Sequence, residues 1–191
     1  LTLGVVSAFA LPPFYAMPIL WVVYPILLWQ MNGATDKRQV FVLGWAFGFG
    51  QFVVGFYWIC ISMFTDIARW WWAVPFASTV LPLLFALNTG FAAMMWWRMQ
   101  LTGVRRIIMF AAWFMIAEWC RGHYATGFPW NLTAHGWIAF LPMLQSYTFL
   151  GAYGLGFLTV TAAAMPSLLG MRPYAARKAL AFSGASIAVL A

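Results

Sequence analysis

The chain has 191 residues, 65% of them hydrophobic and only 7% charged, where an ordinary soluble domain carries about 25% charged residues. That excludes a water-soluble fold and points to an all-α, polytopic bundle of transmembrane helices with the lipid bilayer as its solvent. The net charge of +7 comes from basic residues scattered between apolar runs without a basic face, which excludes nucleic acid as a partner.

Taken in chain order, the pattern predicts about six to seven spans. Residues 1–11 are apolar and stop at Pro12-Pro13; eleven helical residues cover only about 16 Å, half a bilayer core. This first segment is read as truncated or as one arm of a broken hairpin. Residues 14–31 form a second run with Pro18 and Pro25 inside it, tolerable where neighbouring helices re-satisfy the freed carbonyls. Asn32 to Gln39 is the first polar loop. Residues 40–64 then span, with Gly44 and Gly48 in a Gly-x-x-x-Gly spacing that lets a second helix approach closely. Tyr57-Trp58 fit an interfacial aromatic belt.

Thr65 to Arg69 reads as a short loop, and residues 70–97 as a long span with tryptophan clusters at both ends. Asn88 inside it is a polar group at membrane depth, either an interhelical hydrogen bond or a substrate contact. A basic loop, Arg98 to Arg106, precedes a shorter span over 107–120 and a polar, aromatic loop over 121–143. Residues 144–170 span again. Met171 to Lys178 is the last basic loop, and 179–191 begin a seventh span that stops mid-helix, so the domain is expected to be incomplete at both ends.

Alternate loops hold Lys37 and Arg38, then Arg98, Arg105 and Arg106, then Arg172, Arg177 and Lys178, eight of the ten basic residues. By the positive-inside rule that side is cytoplasmic. The stretch from Glu118 to Trp130 then lies on the outer, periplasm-like side. It holds the only glutamate of the chain. Glu118 and Arg121 are three apart and share a helix face. They are read either as an ion pair tying the helix end to the loop or with Arg121 meeting a phospholipid phosphate, which suits a guanidinium. Gly127 permits a tight turn, Pro129 disfavours helix at Phe128, and Phe128 and Trp130 anchor the loop.

Other constellations carry no chemistry. Cys60 and Cys120 have no metal spacing and read as small buried hydrophobes. Glu118 and Cys120, two apart, point to different helix faces. His123 and His135 lack an acidic partner at ligand spacing. Gly151-x-x-Gly154-x-Gly156 is not a dinucleotide fingerprint. No metal and no cofactor is therefore expected.

Glu118-Trp119-x-Arg121-Gly122 followed by Thr126-Gly127-Phe128-Pro129-Trp130 resembles the signature of bacterial apolipoprotein N-acyltransferase. Pro12-Pro13-Phe14, Gly44-Trp45-x-Phe47-Gly48-Phe49-Gly50, Gly55-x-Tyr57-Trp58-Ile59, Leu144-Gln145 and Gly151-x-Tyr153-Gly154-Leu155 resemble further parts of the same family, in the same order. The resemblance implies an eight-helix membrane domain carrying a nitrilase-like domain between helices seven and eight. It implies ping-pong transfer of an acyl chain from a phospholipid donor to the N-terminal amine of a diacylglyceryl-cysteine apolipoprotein, through a thioester on a catalytic Cys supported by Glu and Lys. It implies a bacterial inner-membrane location.

The nitrilase-like domain is absent from residues 1–191, so no catalytic residue is assigned and the fragment alone is expected to be inactive. Glu118, Arg121, Trp58, Gly127, Phe128, Pro129 and Trp130 are the substrate-binding candidates. The family more often has Gly-Tyr where this chain has Ala134-His135. A multi-pass transporter fragment and a non-enzymatic membrane scaffold are the alternative readings.

Overall fold

A computed structural model describes residues 1–124 and 127–170. Thr126 of the outer motif, the loop from Met171 to Lys178 and the seventh span lie outside the described residues. Among the described residues every regular element is helical. Three helical stretches, Lys37–Trp70, Ala73–Arg98 and Tyr147–Gly170, are long and apolar enough to cross a membrane.

Helix α1 (Thr2–Ala8) packs along α3 (Lys37–Gly55). A turn through Pro12-Pro13 and a short 3-10 segment lead into α2 (Leu20–Asn32), so the second apolar run becomes helical only from Leu20. Helix α3 starts earlier than its apolar run. Asp36 is its N-cap, its carboxylate accepting the Gln39 amide at 2.9 Å while Gln39 Oε1 accepts the Thr35 amide at 3.0 Å. Two otherwise orphaned amides are satisfied together, which draws Lys37–Gln39 into the first turn.

The Gly-x-x-x-Gly spacing does what it predicts. Helix α3 packs along α7 (Leu81–Arg98), with Gly44 and Gly48 at the seam. A Cβ on Gly44 would stand 2.6 Å from Ala93 Cβ and 2.8 Å from the Thr89 carbonyl oxygen, so only glycine admits this approach. Helix α8 (Gly103–His123) packs on α7 and on α10 (Tyr147–Ala164), and α10 closes against α2. One core joins these helices around Tyr24, whose ring lies 6.2 Å from Phe47, 5.9 Å from Phe110 and 5.8 Å from Phe114.

Three predicted boundaries are corrected. The span over 40–64 is interrupted: α3 ends at Gly55, and Phe56, at φ −98° and ψ 9°, turns the chain. The stretch predicted as a loop, Thr65 to Arg69, is helical, part of a run of short pieces comprising α4 (Tyr57–Met63), a 3-10 turn, α5 (Ile67–Trp70) and α6 (Ala73–Pro75). A π turn over Phe76–Val80 then leads into α7. In the last described span, α9 (Leu141–Gln145) precedes α10, and Gly151, at φ 64° and ψ 178°, breaks α10 internally. The break at Phe56 lies within uninterrupted apolar sequence, so hydropathy alone cannot register it, while the charged Asp66 and Arg69 read as a loop although the backbone there stays helical.

Candidate functional site

Helix α8 carries its apolar run past residue 120 and ends at His123, with Tyr124 extended. Glu118 and Arg121 therefore sit in the last two turns of one helix, and both are buried. The burial of two ionisable groups demands partners, and both find them in the following loop. Glu118 Oε1 accepts the Thr133 amide at 2.9 Å and the Thr133 hydroxyl at 2.7 Å. Arg121 Nη1 donates to the Phe128 carbonyl at 3.0 Å and to the Trp130 carbonyl. The Phe128 amide returns a bond to the Arg121 carbonyl at 2.8 Å.

Read from the sequence as an ion pair or with Arg121 on a phosphate, the two side chains each find their hydrogen bonds in the loop, Glu118 holding Thr133 and Arg121 holding residues 128–130. The guanidinium carbon also lies 5.1 Å from the Phe52 ring centroid, a cation–π contact. Arg121 is only 4% exposed, so its charge is spent on backbone carbonyls beneath the surface.

The loop is shaped by its own residues as well. Gly127 has φ +68°, in the left-handed region where glycine carries no steric cost. Phe128 is half-buried between Phe56 and Phe85, with ring centroids 5.0 Å from each. Pro129 and Trp130 are exposed. Asn131, at φ 56°, adopts the left-handed conformation that asparagine tolerates better than most side chains. Its Nδ2 donates to the Gly55 carbonyl at 2.6 Å. That carbonyl belongs to the last turn of α3, where intrahelical partners run out, so the α8 loop caps the broken end of α3.

Two spaces flank this arrangement. A cavity of about 10 Å³ lies among Gln51, Asn88, Thr89, Glu118, Arg121 and Asn131, close to the size of one water molecule. Asn88, read from the sequence as an intramembrane polar group, lines this cavity. Sharing Asn131 with it, a groove of about 550 Å³ is bordered by Tyr15, Tyr57, Trp58, Trp130, Asn131 and His135. Trp58 and Trp130 meet edge to face at 5.9 Å. Burial pushes the His135 imidazole below its ordinary pKa, and the nearby Arg121 charge pushes in the same direction, so the groove carries a neutral histidine at neutral pH.

The seven predicted residues thus divide by depth. Trp58 and Trp130 border the groove, Pro129 sits beside it in sequence, and Glu118, Arg121, Gly127 and Phe128 fix the loop from below. Sequence reasoning missed Thr133 and Asn131, whose partners are 15 and 76 residues away. The available signal was an Asn and a Thr directly after a turn-forming Pro-Trp in an otherwise apolar chain. His123 stacks on Trp119 at 4.5 Å, its Nδ1 2.8 Å from the Trp119 carbonyl. Among the described residues no three His, Cys, Asp or Glu side chains form a metal-binding group.

Fold and site together describe a helical membrane domain with an aromatic groove over a clamped loop. Residues 3–165 match the family model described as the apolipoprotein N-acyltransferase N-terminal domain. The chain is 40% identical over 174 residues to the apolipoprotein N-acyltransferase of Rhodopseudomonas palustris, covering 87% of this chain and 32% of the relative. It is 36% identical over 190 residues to that of Allorhizobium ampelinum, covering 95% of this chain and 36% of the relative. It is 37% identical to that of Bradyrhizobium diazoefficiens, with 100% of this chain and 36% of the relative covered. The chain belongs to the apolipoprotein N-acyltransferase family, and it spans about a third of the length of these relatives.

Proposed function

We propose that this chain is the membrane domain of an apolipoprotein N-acyltransferase. The whole enzyme would take an acyl chain from a phospholipid onto a cysteine thiol, releasing a lysophospholipid. The N-terminal amine of a diacylglyceryl-cysteine lipoprotein would then attack the thioester, forming an amide and freeing the thiol. The family match over residues 3–165 is the observation that carries this reading. The catalytic groups belong to sequence outside this chain. Glu118 serves as a loop anchor through Thr133.

The domain's own part is to shape a lipid-facing platform. The groove bordered by Trp58 and Trp130 offers apolar and aromatic surface to a phospholipid or lipoprotein, with Arg121 and Glu118 as positioning residues that set the height of the loop. The distribution of Lys and Arg supports placing the basic loops in the bacterial cytoplasm and the groove on the periplasmic side of the inner membrane.

The test is acyl transfer by the full-length enzyme, followed as conversion of a diacylated lipoprotein to the triacylated form by mass spectrometry. Trp58→Ala combined with Trp130→Ala should raise the apparent KM for phospholipid while leaving detergent-solubilised unfolding unchanged. Unaltered KM in a folded double variant would remove the groove from the reaction, and absence of any transfer by the unmodified full-length enzyme would remove the activity.

A further inference from the structure

Helices α3 and α7 each suffice to cross a bilayer. Their 19 and 18 residues rise about 28 and 27 Å at 1.5 Å per residue, close to the thickness of the hydrocarbon core. Both begin or end in basic residues at one end of the bundle, Lys37 and Arg38 for α3 and Arg98 for α7. Gly55 and Leu81 therefore lie at the opposite interface. The intervening residues 56–80 are left over after both crossings are complete, yet they are as apolar as the spans themselves. A continuous helix over Lys37–Trp70 would be about 51 Å long, far more than the core accepts.

The leftover segment folds back on itself, and of its residues only Phe56, Ala73 and Ala77 are buried. Helix α4 packs on α6 and on the π turn that follows it, while none of the residues of α4, α5 or the 3-10 turn between them is buried. Ile61 is 56% exposed, Phe64 57%, Trp71 66% and Trp72 59%. An apolar surface of this extent marks a partner. Three features identify that partner as lipid at headgroup depth. Tyr57, Trp58, Trp70, Trp71 and Trp72 supply the amphipathic rings that favour the interface. The Arg69 guanidinium lies 5.6 Å from the Trp70 ring, and Asp66, the other charge of the segment, is exposed three residues earlier in the chain.

The hydroxyls give the third feature. Ser62 donates to the Ile59 carbonyl at 2.7 Å, Thr65 to the Ser62 carbonyl at 2.7 Å and Ser78 to the Pro75 carbonyl at 3.3 Å. Each satisfies itself on its own backbone three residues back, the arrangement a hydroxyl needs in a poorly hydrated medium.

We infer that residues 57–80 form an interfacial hairpin lying in the headgroup layer, not a pair of helix extensions crossing the membrane or standing in water. Trp58 ties it to Trp130, so the hairpin seats the groove at the depth where phospholipid headgroups lie. The inference needs only that α3 and α7 cross the bilayer and holds whatever reaction the whole protein performs.

The experiment is site-directed spin labelling of the full-length protein in nanodiscs of phosphatidylethanolamine and phosphatidylglycerol. Cys60 and Cys120 are first replaced by Ala, and a nitroxide is placed in turn at Ile61→Cys, Phe64→Cys, Ile67→Cys and Trp71→Cys. Depth is read from relaxation by oxygen against a water-soluble nickel chelate, on variants whose gel filtration and unfolding match the parent. All four labels should report depths within about 5 Å of one another near the phosphate level. A gradient of about 15 Å from residue 61 to residue 71, the rise of a continuous helix, would overturn the inference. So would free access of the nickel chelate without oxygen contrast, which means water, or protection from both reagents, which means that another protein segment covers the hairpin.

Discussion

Glu118 and Thr133 are joined twice: one carboxylate oxygen accepts both the amide and the hydroxyl of the threonine, at 2.9 and 2.7 Å. The pair fixes where the loop re-enters the bundle after its aromatic turn, because the amide that begins the 3-10 segment Thr133–Trp137 is tethered to the penultimate turn of α8. The other carboxylate oxygen has no hydrogen-bond partner among the described residues, so this side chain relies heavily on Thr133.

Thr133→Val keeps the volume and the amide but removes the hydroxyl donor. Loss of one hydrogen bond to a buried carboxylate costs about 1.5–3 kcal/mol. Denaturant unfolding of the full-length protein in detergent should show that loss, and Thr133→Ser should recover most of it. Equal stability of the Val and Ser variants would show that the hydroxyl is dispensable.

Arg121→Met preserves the length of the apolar stem and removes the donors to the Phe128 and Trp130 carbonyls. Amide hydrogen exchange over residues 127–131 should accelerate at least tenfold, corresponding to about 1.4 kcal/mol of local opening, while exchange in α2 stays unchanged. If the residue instead met ligand without clamping the loop, exchange in the unliganded protein would not change.

Gly48→Ala would drive a methyl onto the Thr89 hydroxyl and within 3.2 Å of the Ala86 Cα on α7. Overpacking of this kind costs about 1–3 kcal/mol, seen as a lowered Tm in detergent. Gly33→Ala is the control, since its nearest neighbour would be 3.6 Å away, in ordinary contact.

His135 predicts a pH dependence with a definite sign. Burial and Arg121 lower its folded pKa, so the unfolded chain binds the proton more readily. Its contribution to stability is complete above the unfolded value of about 6.5 and declines as the pH falls below it toward the folded pKa. Unfolding measured between pH 8 and 5 should show this decline, and His135→Gln should flatten it; a slope of opposite sign would mean that the imidazole is held charged.

Much of this was legible in the chain. The apolar composition dictates helices, because a backbone in lipid must satisfy its own hydrogen bonds. The i, i+3 spacing of Glu118 and Arg121 placed both on one face, and the four-residue spacing of Gly44 and Gly48 marked the tight helix pair. Gly127, Phe128 and Pro129 announced a turn. What stayed hidden depends on distant partners. Asn131 reaches Gly55, 76 residues earlier, and no local pattern carries that. The break at Phe56 is silent in hydropathy because the helix changes direction without changing its chemistry.

By itself, then, the sequence determined the medium, the helical class, the family resemblance and the stretch where the polar chemistry lies, since composition and short-range spacing act through local physics. Only the tertiary structure decided the role of each side chain. Which charges are exposed, which hold a loop and which rings border a groove follow from how α3, α7 and α8 pack, and from the need of every buried polar group for a partner.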